Sequence, residues 1–300
     1  MAIGLITDMS QGQTLQEDVV NAIYNVDYRA TPFTSRIGES VATNTLHSWL
    51  QDAYAAPGLN VNIESSDVTV VDMVEPVRHA NIVQLFRKVI TVSDTEIAVP
   101  HYGMNDPFEY QTQKNMVALA RDMELANISG TRASGSSGVA RAQDGAIALI
   151  TTVKTAQTSG TCFTEAILGN LLSAVYSTGQ TDEDVDLFLV GPYLKLAIDK
   201  FATNTTRYID ATAFEQALRV DTYMSSFGMH KIVLSRQVPT GGVLGVDTSK
   251  WRQAWLVNRR VAIKPLGKTG SSTKALMEGE ATLEALNEKS SLYASGYFTG

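Results

Sequence analysis

The sequence predicts an α+β fold: two mixed units preceded by an extended arm. Three observations predict it. Apolar residues recur every three or four positions from Phe108 to Ile128, the mark of one long amphipathic helix. Beyond residue 146, short helical and strand-like runs alternate, as in a mixed domain. Residues 1–87 are rich in acids, and between two strand-like runs residues 53–67 have large apolar residues too few and too scattered to build a core of their own.

Each element has its own signal. Leu15, Val19, Ala22, Ile23 and Val26 have helical spacing over 14–27, and Thr14 followed three residues on by Glu17 is a capping-box pair, so a short amphipathic helix is expected. Residues 45–51 alternate, with Leu46, Ser48 and Leu50 on one side and His47 and Trp49 on the other; residues 68–74 are rich in β-branched side chains. These read as the two strands of an extended arm, with a turn at Pro57-Gly58. Another strand is expected over 82–92, closed by Ser93-Asp94-Thr95.

Pro107 suits the first position of a helix, where its missing N–H has no intrahelical partner to lose, so the long helix is placed over 108–130. Its stripe is Phe108, Thr112, Met116, Leu119, Met123 and Ala126, with Glu109, Lys114, Arg121 and Glu124 mostly off it. The Gly/Ser-rich run up to residue 145 reads as a flexible loop and a unit boundary. Then come a helix over 164–177, a buried strand over 186–190, a helix over 192–201, and strands over 231–235 and near 254–257. Residues 274–286 alternate around Leu276, Glu278, Glu280, Thr282 and Glu284, a pattern open to a final long strand or a helix. No internal repeat is found.

Composition narrows the function classes. With 300 residues, 44% of them hydrophobic, the chain can bury a substantial core. Only 18% are charged, which leaves a neutral polar surface suited to close contact with other protein. A net charge of −7 argues against gripping nucleic-acid backbones, which needs a concentrated basic face. The acids are uneven: residues 1–87 hold ten against four arginines, and the first lysine is Lys88. No apolar run nears the ~18 residues that span a bilayer, and no basic n-region leads a long apolar h-region, so no membrane association is expected. The lone Cys162 excludes an intrachain disulfide, fits a reducing cytoplasm, and reads as a small buried apolar residue.

Catalytic patterns are missing. His47, His79, His101 and His230 lie far apart without metal-ligand spacing and read as surface or loop residues. The glycines at 130, 135 and 138 follow a helix and lack the Gly-Lys-Ser/Thr ending of a phosphate loop. Asp182, Glu183, Asp184 and Asp186 lack the glycine and distal glutamate of a calcium loop and read as a solvated acidic turn. No Gly-x-Ser-x-Gly elbow is accompanied by a suitable histidine and acid. No catalytic, metal or cofactor site is expected, and the chain reads as no enzyme.

Several stretches carry a resemblance: Thr31-Pro-Phe-Thr-Ser-Arg-Ile-Gly38, Asn81-Ile-Val-Gln-Leu-Phe86 with Val92-Ser-Asp-Thr95, and Tyr110-Gln-x-x-Lys114 leading to Leu119-Ala-Arg-Asp-Met-Glu124. Together with Glu280-Ala-Thr-Leu-Glu284 and Asn287, they resemble the major capsid proteins of tailed bacteriophages, which have the Hong Kong 97-like fold. The resemblance implies an N-terminal arm and short helix over 1–44 and an extended β-hairpin loop over 45–80. It places a peripheral domain at 81–145 and 266–300, with the spine helix at 108–130, and an axial domain at 146–265.

The implied function is self-assembly into hexamers and pentamers of an icosahedral or prolate head around a double-stranded DNA genome, bound without sequence specificity. The implied partners are a portal protein, a separate scaffolding protein and decoration proteins. The place is the virion, assembled in the host bacterial cytoplasm. Some family members cross-link their shells through a loop lysine; no lysine precedes Lys88 here. Under this reading the loop acids Asp52, Glu64, Asp67, Asp72 and Glu75 are expected to meet Lys114, Arg121, Arg132 and Arg141 of a neighbour. Two other readings are an encapsulin-like nanocompartment shell and a soluble two-domain enzyme or binding protein.

Overall fold

The computed structural model describes residues 31–54, 58–59, 61–65, 67, 75–101, 103–179, 185–201, 222–268 and 270–298. The expected helix over 14–27, the strand over 68–74, Asp72 and the acids 182–184 lie outside the described residues. In chain order come β1 (Gly38–Ala42), β2 (Leu46–Gln51), β3 (Val77–Ile82), β4 (Gln84–Ser93), α1 (Asp94–Ala98), α2 (Pro107–Ser129), α3 (Ala146–Leu149), β5 (Lys154–Cys162) and α4 (Glu165–Gly179). Then follow β6 (Leu187–Val190), α5 (Pro192–Phe201), β7 (Thr222–Ser225), β8 (Gly228–Leu234), β9 (Val243–Val246), β10 (Trp251–Leu256), β11 (Ala262–Leu266), β12 (Ser272–Ala285) and β13 (Leu292–Phe298).

The 14-residue β12 organises a five-stranded sheet. Along one side it pairs antiparallel with β4, from Ser272↔Ser93 to Ala281↔Gln84. On its other side it pairs with β11 and then β10, and β1 runs parallel to β10. The alternation over 274–286 is therefore that of a strand: Ala275, Met277, Ala281, Leu283 and Ala285 share one face, and the intervening Glu280, Thr282 and Glu284 are buried as well. Helix α2 packs on this sheet through Leu119 and Met123 against Phe86, Ile90, Met277 and Ala281.

Helix α2 begins as its sequence dictates. The Asp106 carboxylate accepts the amides of Phe108 at 2.8 Å and Glu109 at 3.3 Å, and Pro107 occupies the first turn. Burial is concentrated in its C-terminal half, at Leu119, Met123, Glu124, Asn127 and Ile128, whereas Met116 of the expected stripe is half exposed.

The second sheet has six strands in the order β5-β13-β9-β6-β8-β7. Helices α4 and α5 cover it, with Leu168, Leu171, Leu172 and Val175 of α4 and Leu194, Ala197 and Ile198 of α5 against Phe188, Val190 and Ile232. Its other side shares a core with the first sheet, in which Trp251, Leu283, Phe33 and Ile128 meet Leu187, Leu189 and Leu244. Sheet membership changes at other points than residue 265: β10 and β11 belong with β12 and β4, while β13 crosses back beside β5 and β9.

Four local expectations are corrected. The partner of β2 among the described residues is β3 at 77–82, from Leu46↔Ile82 to Gln51↔Val77. Arg78, His79 and Asn81 disguise that strand, because each has its own polar or ring partner. The run up to residue 145 is no flexible loop: Ala133 pairs with Ala142 and Ser136 with Val139, with Gly135 and Gly138 at φ of 77° and 85° turning the tip. His230 is wholly buried on β8, its Nδ1 against the Val185 carbonyl and its Nε2 2.6 Å from Ser225 Oγ. Cys162, at the end of β5, is exposed.

Candidate assembly surfaces

The β2–β3 hairpin is fixed to the body at its root. At the root, Gln51 Nε2 donates to the Ala285 carbonyl at 2.9 Å, and Asn81 Nδ2 donates to the carbonyls of Leu283 at 2.8 Å and Asp144 at 3.0 Å. The Asn81 Oδ1 accepts the amide of Asp144 at 2.9 Å, so one side chain ties the arm both to β12 and to the 131–144 hairpin. Past the root the apolar side chains face water: Tyr54 is 101% exposed, Leu59 95%, Val61 84% and Ile63 82%. Apolar surface gathered in these exposed segments between β2 and β3 is a cost in water that contact with another protein removes.

A receiving shape is present on the same chain. Between β4 and the second half of α2 lies a cavity of about 550 Å³, lined by Leu85, Phe86, Leu119, Leu125 and Ala126. Arg87 and Asp122 stand at its margin. Leu85 and Leu125 are exposed, so the groove offers apolar contact as well as charge.

The expected contact residues are placed as follows. Asp52, Glu64, Asp67 and Glu75 are exposed along the arm, and Lys114 is exposed on α2. Arg121 is half-buried on the same helix. Arg132 and Arg141 are engaged within their own chain. Arg132 Nη1 donates to the Ala80 carbonyl at 3.2 Å, and Arg141 Nη2 lies 3.2 Å from Glu280 Oε2.

The sequence reading missed two polar centres. Glu124, set among solvated positions, is buried, and its carboxylate accepts the amides of Phe33 and Thr34, each at 2.8 Å, and the Thr34 hydroxyl at 2.6 Å. It fixes the entry segment to α2. On β12, Glu278 and Glu280 grip Arg259 at 2.9 and 2.7 Å, and Lys264 reaches Glu278 at 2.8 Å. Lys264 first and Arg259 next hold the Glu278 carboxyl below the usual range, while Glu280 leads in raising Arg259. The alternating glutamates of 278–284 were the available signal, legible once the segment is a strand. Among the described residues no group of three or more His, Cys, Asp or Glu side chains gathers as a metal site.

A sheet built on one long strand, a long helix packed on it and exposed apolar segments beside them point to a protein completed by others. A family model described as SU10 major capsid protein matches residues 5–297. The chain belongs to the SU10 major capsid protein family.

As a member of the SU10 major capsid protein family it is a shell-forming structural protein of a tailed-phage capsid. It is 25% identical over 324 residues to the major capsid protein of Escherichia phage Phieco32, covering 89% of this chain and 88% of that one. Its fold is Hong Kong 97-like. The solved capsid of cyanophage A-1(L) superposes with a TM-score of 0.65 at 13% identity, over 97% of this chain and 99% of the other. The SrpI encapsulin of Synechococcus elongatus PCC 7942 gives 0.58 at 12% identity, over 99% and 97%.

Proposed function

We propose that this SU10-family capsid protein builds the head shell of a tailed phage as hexamers and pentamers around double-stranded DNA, and that it performs no catalysis. The observation that carries this is the arm: Tyr54, Leu59, Val61 and Ile63 are fully or nearly fully exposed between two strands that the body anchors at their root. The arm is to lie on a neighbouring copy, its apolar residues in the groove between β4 and α2. Its acids Asp52, Glu64, Asp67, Asp72 and Glu75 are to face Lys114 and Arg121 of that neighbour, with Arg132 and Arg141 contributing field from their intrachain positions. Many such contacts of moderate strength, repeated around rotational axes, close a shell.

The net charge of −7 suits a wall that repels packed DNA instead of binding it. A portal, a separate scaffolding protein and decoration proteins complete the head in this reading, which is assembled in the host bacterial cytoplasm. Negative-stain microscopy with size-exclusion chromatography tests it: uniform shells, or five- and six-fold rings, are expected. A persistent monomer or dimer with and without the co-expressed neighbouring genes overturns it. Shells filled with folded protein instead of DNA favour the nanocompartment reading, for which the encapsulin likeness supplies a fold precedent.

A further inference from the structure

We propose that a basic cavity at the edge of the second sheet binds a small polyphosphate anion. The cavity measures about 490 Å³, inside the ~300–1,000 Å³ range of small-molecule sites. Arg36, Lys195, Thr222 and Lys231 line it, and residues 232–234 supply its apolar wall. In a chain of net charge −7 this is a local reversal of sign.

Strand alternation explains how the groups converge. Along β8, His230 and Ile232 turn into the core and Lys231 turns outward, with Thr222 of β7 directly opposite. Among the described residues the pairing with β7 ends at Lys231, whereas the pairing with β6 continues to Leu234, so residues 232–234 form a sheet edge. The Lys231 and Ser235 amides donate to the Asp186 and Val190 carbonyls on the β6 side, which directs the intervening amides of Ile232 and Leu234 toward this edge. Arg36 comes from the entry segment before β1 and Lys195 from α5, so four separate pieces of chain meet at the cavity.

The bases differ in how their charge is balanced. Lys195 is buried, with 8% of its side chain exposed, and its Nζ lies 3.2 Å from Asp199 Oδ1, an ion pair that holds the ammonium in place. Arg36 Nη1 donates to the Pro32 carbonyl at 2.8 Å, which orients the guanidinium without neutralising it. Among the described residues neither Arg36 nor Lys231 has a carboxylate within ion-pair distance. Asp186, whose carbonyl accepts the Lys231 amide, turns its carboxylate to the Thr248 amide at 2.8 Å and hydroxyl at 2.6 Å. Two uncompensated cations, one of them a planar guanidinium, together with a hydroxyl suit phosphoryl oxygens. The recessed Lys195 sets the ligand's size: a duplex backbone rests on exposed bases, whereas a compact anion reaches a buried one. Bases on three separate elements suit several phosphoryl groups at once, and a bound polyphosphate ties the entry segment to the edge of β8. The cavity belongs to the single chain and does not rest on the proposed shell.

Isothermal titration calorimetry of the purified full chain with sodium tripolyphosphate tests it. Saturable binding of one anion per chain is expected. Arg36 and Lys231 are exposed, and Arg36→Gln and Lys231→Gln should each weaken Kd about tenfold or more, the scale of one charge-assisted hydrogen bond. Lys231→Arg, which keeps the charge, should retain binding, as should Lys114→Gln, which removes a base of α2 outside the cavity. A parallel titration with a duplex oligonucleotide separates the two sources of phosphate, and no heat is expected. No saturable tripolyphosphate binding by the wild type, or equal affinity in the wild type, Arg36→Gln and Lys231→Gln, overturns the site. Oligonucleotide binding that weakens in both variants assigns the cavity to a nucleic-acid backbone and overturns the small anion.

Discussion

Gly145 donates its amide hydrogen to the carbonyl of Gly130 at 3.0 Å, closing the neck of the 131–144 hairpin. A Cβ on Gly130 would sit 2.4 Å from the Ala126 oxygen and 2.8 Å from that of Gln143, and one on Gly145 would sit 2.6 Å from the Gly130 nitrogen. These are backbone atoms, which cannot swing aside. Gly130→Ala and Gly145→Ala should each cost about 1–3 kcal/mol in urea denaturation. Gly169 in α4 has nothing within 4 Å of its virtual Cβ, so Gly169→Ala should instead stabilise by about 0.5–1 kcal/mol. Equal midpoints for the three variants would refute this account of the neck.

Glu124 supplies acceptors for three donors, two of them main-chain amides. Glu124→Gln keeps the shape but turns an NH2 toward a donor and removes the charge. A loss of roughly 2–3 kcal/mol is expected, with faster proteolysis near residues 31–37. Unaltered cleavage there would mean that the entry segment is held by Phe33 packing alone.

The arm offers a clean separation of folding from assembly. Leu59 and Ile63 contribute almost no burial within the chain, so Leu59→Ser with Ile63→Ser should leave the melting temperature unchanged. The concentration needed for shells should rise at least about tenfold, since burying one such side chain is worth about 1.5–3 kcal/mol. Charge reversal at Arg121 and Arg132 should weaken assembly too and sharpen its dependence on salt. Light scattering across salt concentrations measures both; equal yields throughout would count against the docking.

Tyr223 is pushed up to about 12, mainly by burial and then by its hydrogen bond to Glu165 at 3.0 Å. A phenol raised in the folded state contributes stability that is complete below its unfolded value of ~10 and is lost as pH climbs through the folded one. The denaturation midpoint should fall between pH 10 and about 12, and less steeply in Tyr223→Phe. Burial also raises Tyr293 and Tyr297, so some slope should survive. Superimposable profiles for the two proteins would remove Tyr223 from the explanation.

Covalent reinforcement through the arm has no amine to use, because no lysine precedes Lys88. Particles heated in detergent should run at the mass of the chain itself. A ladder of higher bands would show that some other nucleophile cross-links the shell.

Local pattern explains what could be read in advance. Residues 192–201 announced a helix by a proline start and an amphipathic face, and the helix spans Pro192–Phe201. The four-residue apolar run of β6 is buried throughout. By contrast, the partners of Glu124 stand about 90 residues away, so nothing near it marks a buried carboxylate. His230 had a legible clue, since it alternates inward with Ile232. The assignment of β10 and β13 to different sheets depends on pairings with strands far off in sequence, which no window of residues contains. For the arm, the alternation over 45–51 separated His47 and Trp49 from Leu46, Ser48 and Leu50 but did not say which side turns inward; in the structure Trp49 is buried, while Leu46 and Leu50 are exposed.

The crossing of β12 and β13 sets a clock on synthesis. Strand β4 must wait for residues 272–281 to find its partner, and β5 must wait for residues 293–298. The first sheet closes only when β12 has emerged and brought Leu283 to the shared core, and the second only when β13 follows with Tyr293. A chain that has not yet brought residues 272–298 into place therefore offers its siblings unfinished sheets, and the docking of the last two strands comes before the meeting of subunits.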